Sequence, residues 1–255
     1  MLYLIFFILL AGFSPTGFCE DAAPKTVTTY AASDYAAYSH SPFTHTVWDP
    51  LVKEGFDAMD RQDLPTAIEF LRKAVIAGCS SPIVLFKLAL AYETQGSYYS
   101  AVQYYNLAKE GFKKANQDHR YAKQFSENYG RALTMLGQTE KAIPVLEEAA
   151  ADPLGSSWVL KLLGQVYLAK KDPAKAADYF GRYTAREKGT ITPPELINIH
   201  LELARAFNTA GDTDNAIKHY EQVATLDPSN AESQNYLRQK KSNQSIDRFM
   251  DMINN

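Results

Sequence analysis

One alanine recurs through the chain in a repeating context. Ala67, Ala101, Ala142, Ala176 and Ala216 stand 34, 41, 34 and 40 residues apart. Four positions after each comes a large side chain: Leu71, Tyr105, Leu146, Phe180 and Tyr220. Twelve positions before each comes a small one: Gly55, Ala89, Gly130, Gly164 and Ala204. Three after that small residue come Ala58, Tyr92, Leu133, Tyr167 and Phe207. A period of this length marks units of two amphipathic helices. Such a unit cannot bury its apolar face alone and must stack on its neighbours. Two antiparallel helices approach closely where small side chains let the backbones meet, so the Gly or Ala of the first helix is expected to face the anchor alanine of the second. Gly96, Gly137 and Gly211 fall between the paired helices, where glycine ends a helix at little cost. Pro228 stops the last one.

Composition is compatible with that reading and narrows the function. The 255 residues are 46% hydrophobic and 22% charged, enough for a packed repeat array. Twenty-six basic against 29 acidic residues, a net charge of −3, leave no electrostatic footprint for nucleic acid. Two cysteines do not make a disulfide scaffold.

The pattern resembles the tetratricopeptide repeat family. The runs that carry it are LFKLALAYETQGSYYSAVQYYNLA at 85–108, LLGQVYLAKKDPAKAADYF at 162–180 and HLELARAFNTAGDTDNAIKHYEQVATLDPSN at 200–230. The resemblance implies an all-α, right-handed superhelical solenoid of about five helix-turn-helix repeats, at 48–81, 82–115, 123–156, 157–190 and 197–230, with a cap helix and tail over 231–255. Extra residues near 111–122 and 187–196 are expected to lengthen helices or loops. The first repeat departs from the family with Glu54 and Ala58 where larger apolar residues are usual, and the fourth with Tyr183 in place of a small residue.

Ahead of the repeats, an apolar run from Leu2 to Phe13 is broken by Ser14, Pro15 and Gly17. It is too short to span a bilayer, which needs about 20 helical residues, and reads as a signal peptide over 1–19, cleaved after Gly17-Phe18-Cys19. The expectation is an exported protein of a bacterial periplasm or envelope, or one that is secreted. Residues 20–47, rich in Ala, Thr, Ser and Tyr, read as a flexible tether. Tyr30, Tyr35, Tyr38, Phe43 and Trp48 leave open a tether that docks on the repeats. Cys19 stands where a bacterial lipoprotein carries its acylated cysteine, but Thr16 and Phe18 replace the aliphatic and small residues of a lipobox. Acylated there, the chain would be similar in layout to outer-membrane lipoproteins that assist pilus or secretin assembly; only then is a membrane contact expected.

No enzyme motif is present: no phosphate-cradling glycine loop, His-Glu-x-x-His, paired-cysteine metal spacing or nucleophile elbow. His119, His200 and His219 lie on predicted helices away from ligand spacing, with His219 read as a surface residue. No cofactor, metal, nucleic acid or small-molecule substrate is expected.

The family resemblance implies a protein or peptide partner held in the concave groove lined by the first helix of each repeat. Its N-terminal half would be apolar, with Val52, Phe56, Met59, Ile83, Phe86 and Leu90. Its C-terminal half would be polar and net positive, with Asn128, Arg131, Trp158, Lys161, Gln165, Asn198, Arg205 and Asn208. The apolar residues are alternatively core, or covered by the chain's own 28–47 segment. The carboxylate clamp of chaperone-binding members is unmatched, since its places fall on Val52, Phe56 and Lys87. Extended repeat surfaces also leave self-association open.

Overall fold

The structure, a computed structural model, describes residues 48–115, 121–153 and 155–254. The expected leader, Cys19 and the 20–47 tether lie outside the described residues. Helices α1 (Asp49–Asp60) and α2 (Leu64–Ile76) form the first pair, followed by α3 (Pro82–Thr94) with α4 (Tyr98–Ala115) and α5 (Ala122–Met135) with α6 (Thr139–Ala151). Then come α7 (Ser157–Ala169) with α8 (Pro173–Arg186), α9 (Pro193–Thr209) with α10 (Thr213–Leu226), and the single helix α11 (Ala231–Asn254). Each pair packs most closely within itself and then on the next pair, the nearest-neighbour order of an all-α solenoid.

Local signals explain where the helices begin and turn. Asp63, Asp172 and Asp212 cap α2, α8 and α10 by accepting hydrogen bonds from the backbone N–H of Thr66, Lys175 and Asn215. Between the helices of every pair, one residue takes a left-handed backbone, five positions before the anchor alanine. Gly96, Gly137 and Gly211 do so at φ of 83°, 75° and 81°, but Gln62 and Lys171 do so as well, at 62° and 60°. The glycines alone therefore understate a turn that all five pairs share.

The close approach between paired helices differs from the expectation. A Cβ on Gly55 would lie 2.5 Å from Leu71 Cδ2, and one on Gly130 2.5 Å from Leu146 Cδ2. On Gly164 it would lie 2.8 Å from the Phe180 ring. The small residue thus receives the large residue one turn beyond the anchor alanine rather than the alanine itself, as a ridge enters a groove. In the other two pairs Ala89 and Ala204 hold the place of the small residue, and Tyr105 and Tyr220 that of the large one.

The insertions go into helices: α4 runs for 18 residues and α9 for 17, against 13 in α2, α3, α6 and α7. The cap is one helix that carries the tail to Asn254. None of the described helices is long and apolar enough to cross a membrane.

Candidate functional site

The inner layer of the solenoid consists of α1, α3, α5, α7 and α9. Positions counted from the small residue of each helix compare the same place in successive repeats. Three before it stand Val52, Phe86, Glu127, Lys161 and Leu201, and one after it Phe56, Leu90, Arg131, Gln165 and Arg205. Burial along these series is unequal. Val52, Phe56, Phe86, Leu90 and Glu127 are buried, Lys161, Gln165 and Leu201 are half-buried, and Arg205 is exposed.

The apolar half of the expected groove is accordingly corrected: Val52, Phe56, Met59, Ile83, Phe86 and Leu90 are core residues. Phe86 shows why. Its ring lies 6.0 Å from that of Tyr105, 5.8 Å from Tyr121 and 5.8 Å from Phe125, so aromatics of the next helices close over it. Asn128 is also buried, with its amide donating to the Gln124 carbonyl.

The positive character of the other half is corrected too, because its three cations are neutralised across the repeats. Arg131 Nε donates to Glu93 at 2.6 Å, and the Tyr105 hydroxyl donates to the same carboxylate at 2.5 Å. Lys161 Nζ and the Tyr183 hydroxyl both reach Glu195 Oε1, at 2.8 and 2.7 Å. Arg205 Nε and the Tyr220 hydroxyl both reach Glu232 Oε1, at 2.8 and 3.0 Å. A carboxylate on an inner helix or, for Glu232, on the cap, a cation on the neighbouring inner helix and a tyrosine from the outer helix between them form the same triad three times.

Environment separates the three. Burial pushes the Glu93 carboxyl above its usual range despite Arg131 and Tyr105. Burial also opposes ionisation of Glu195, but the hydrogen bonds from Lys161 and Tyr183 hold that carboxyl below its usual range. Glu232 is lowered first by its bond to Arg205. The glutamates were missed in the sequence because their cationic partners lie 27 to 38 residues away.

What stays open is the inner face of the last two repeats and the cap. Asn198, Arg205 and Asn208 are exposed there, and Trp158, Lys161 and Gln165 are partly so. The Trp158 ring lies 5.3 Å from the Arg131 guanidinium. Asn208 accepts a hydrogen bond from the Tyr236 hydroxyl of the cap at 3.0 Å. Gln165 Oε1 is shielded from solvent and has no donor among the described residues.

The reading of His219 as a lone surface residue also changes. His200 on α9 and His219 on α10 are half-buried with their Nδ1 atoms 3.0 Å apart, and His219 stacks on Phe207. Burial first, then the neighbouring His200 and Lys218, push the His219 imidazole down to about 4. Burial lowers His200 as well. No group of three or more His, Cys, Asp or Glu suited to a metal occurs among the described residues.

Stacked helix pairs with an inner face of hydrogen-bonding side chains define an α-solenoid interaction module. The sequence profile of the tetratricopeptide repeat matches residues 52–119 and 161–231, and the chain belongs to that family. Among solved structures it is similar to the crystal structure of MamA, at 18% identity and a TM-score of 0.57 over 72% of this chain and 94% of that one. A MamA from Desulfovibrio magneticus RS-1 is similar at 20% identity and a TM-score of 0.54, over 73% of this chain and 98% of that one. YrrB, described as a tetratricopeptide repeat protein with an unusual peptide-binding site, is similar at 15% identity and a TM-score of 0.58, over 83% and 99%. Identities this low speak to the fold alone. No curated protein sequence matches the chain.

Proposed function

We propose that the chain is a non-enzymatic adaptor that holds an extended protein segment on the inner face of α7, α9 and α11. The observation that carries this is the open row of Asn198, Arg205 and Asn208 with partly open Trp158 and Gln165, beside cations already paired with Glu195 and Glu232. Amide side chains donate and accept together, as a peptide backbone does, so they suit main-chain recognition with an aromatic anchor. The peptide-binding site of YrrB lends support by analogy of fold.

The adaptor is read as exported to a bacterial envelope, on the strength of the apolar leader before Glu20. Acylation on Cys19, and with it a role in pilus or secretin assembly, rests on the position of that cysteine; the mass of the mature N-terminal peptide decides it. Binding is tested by placing a photo-cross-linking amino acid at Asn208 on the inner face, or at the exposed Leu107 on the outer layer. A partner trapped from Asn208 alone, and lost with Trp158→Ala, supports the site. Equal trapping from both positions, or none from Asn208, overturns it.

A further inference from the structure

Three carboxylates meet two cations on the open inner face. The charged side chains of α7, of α9 and of the first turn of α11 are Lys161, Glu195, Glu202, Arg205 and Glu232. Lys161 is bonded to Glu195 and Arg205 to Glu232, which leaves Glu202 with no ion pair or hydrogen bond among the described residues. Asn198, Glu202 and Arg205 follow one another at a spacing of four and then three, so they line one face of α9, and all three are exposed. Although Glu202 opens to the groove, burial by its surroundings pushes its carboxyl above the usual range, and the pull of Arg205 and Lys161 only reduces that rise. Both cations are near enough to be felt, and both are committed elsewhere.

A second acceptor is unmet in the same region. Gln165 lies one turn beyond Lys161 on α7, and its shielded Oε1 has no donor among the described residues. A buried acceptor of this kind costs free energy until a donor reaches it.

We propose that the segment held on this face is basic and presents an arginine to Glu202 and Gln165. This rests on the inner face of α7, α9 and α11 being the peptide site, and adds the chemistry of its occupant. A carboxylate deprived of part of its hydration gains more from a cation than one in open water, because the lower local dielectric strengthens the attraction. An acidic segment would bring a fourth carboxylate to the face and is repelled. A guanidinium has five N–H donors and no acceptor, so it can meet a carboxylate with two and still donate to an amide oxygen. A lysine ammonium is a point charge without that fork. One partly desolvated pair is screened little by salt, so the salt dependence of binding stays weak.

The test probes an array of random octapeptides with the whole chain and measures the tightest binders in solution by fluorescence anisotropy. Arginine should be enriched at one position. Its replacement there by citrulline, which keeps the shape and loses the charge, should weaken binding roughly tenfold. In Glu202→Gln the same replacement should change affinity less than about twofold. That variant removes a charge that burial disfavours, and its circular dichroism and melting temperature verify the fold. An equal loss with citrulline in both proteins overturns the proposal, since the arginine then pairs elsewhere. Peptides that are lost with Trp158→Ala but show no preference for arginine also overturn it, and leave the adaptor reading standing. An array with no binder, or binders indifferent to Trp158→Ala, overturns the adaptor reading and the arginine with it.

Discussion

Acidification from pH 6.5 towards 4 is expected to weaken the fifth repeat through one side chain. His219 in the folded chain binds its proton only near pH 4, chiefly because burial disfavours the charged ring, with His200 and Lys218 adding repulsion. The unfolded chain binds that proton near the ordinary value of about 6.5. Between these limits the unfolded state carries more protons, so the contribution of His219 is fully present above pH 6.5 and is lost as the pH falls to about 4. The complete difference corresponds to roughly 3 kcal/mol. The ring is only partly shielded, and solvent screening reduces this to about 1–2 kcal/mol. For a urea slope of about 2 kcal/mol/M that moves the midpoint by roughly 0.5–1 M.

The assay compares urea unfolding of the natural chain and His219→Phe at intervals from pH 7 to 4. Phenylalanine keeps a flat ring against Phe207 and removes the titration, although it leaves the half-buried His200 Nδ1 without its partner. The informative quantity is therefore the difference in pH slope between the two proteins, not either midpoint. Glu93 and Glu202, raised by burial, act with the opposite sign in part of this window but are common to both proteins and cancel. Glu195 and Glu232, lowered by their partners, lose their contribution only below the usual carboxylate range. Parallel slopes, or a His219 ring resonance that titrates near pH 6.5, would refute the reasoning.

Arg131→Met leaves the Glu93 carboxyl buried with Tyr105 alone, and should destabilise the chain by about 3–5 kcal/mol in thermal or urea unfolding. Adding Glu93→Gln should recover most of that loss. Gly130→Ala would drive a Cβ to 2.5 Å from Leu146 Cδ2 and should cost about 1–3 kcal/mol. Gly181→Ala, on α8 with open space around its Cβ, should instead stabilise by roughly 0.5–1 kcal/mol. Lys171→Gly, at φ 60° in the turn before α8, is expected to raise stability by up to about 1 kcal/mol, read as a higher melting temperature. A partner peptide should bind with less than about a threefold loss of affinity between 0.05 and 0.5 M salt, because Lys161 and Arg205 are already paired.

The repeat, its turns and its inner helices were legible because they are local. Gly55 and Leu71, or Ala204 and Tyr220, sit 16 residues apart in one unit, and five copies in phase expose the packing rule they obey. Two local details still escaped. Gln62 and Lys171 take a glycine's place in the turn without looking like glycine. The partner of each small residue was misplaced by one turn of helix, since spacing reports a shared face and not which knob enters which hole.

The site was less legible, and for a single reason. Whether Phe86 or Arg205 faces solvent depends on what the next repeat lays over it, and that lies outside the period that identifies both positions. Tyr121 and Phe125 close over Phe86, whereas nothing comparable covers Arg205 among the described residues. In the same way Glu93, Glu195 and Glu232 look like ordinary surface acids until stacking brings a cation and a tyrosine to each. The sequence by itself determined the helix pairs, their number and the order of stacking. Only the tertiary structure decided which inner residues are core and which charges are already spent on one another, because both need two repeats at once, and that His200 and His219 meet, because that depends on how the two helices of the fifth pair are turned toward each other.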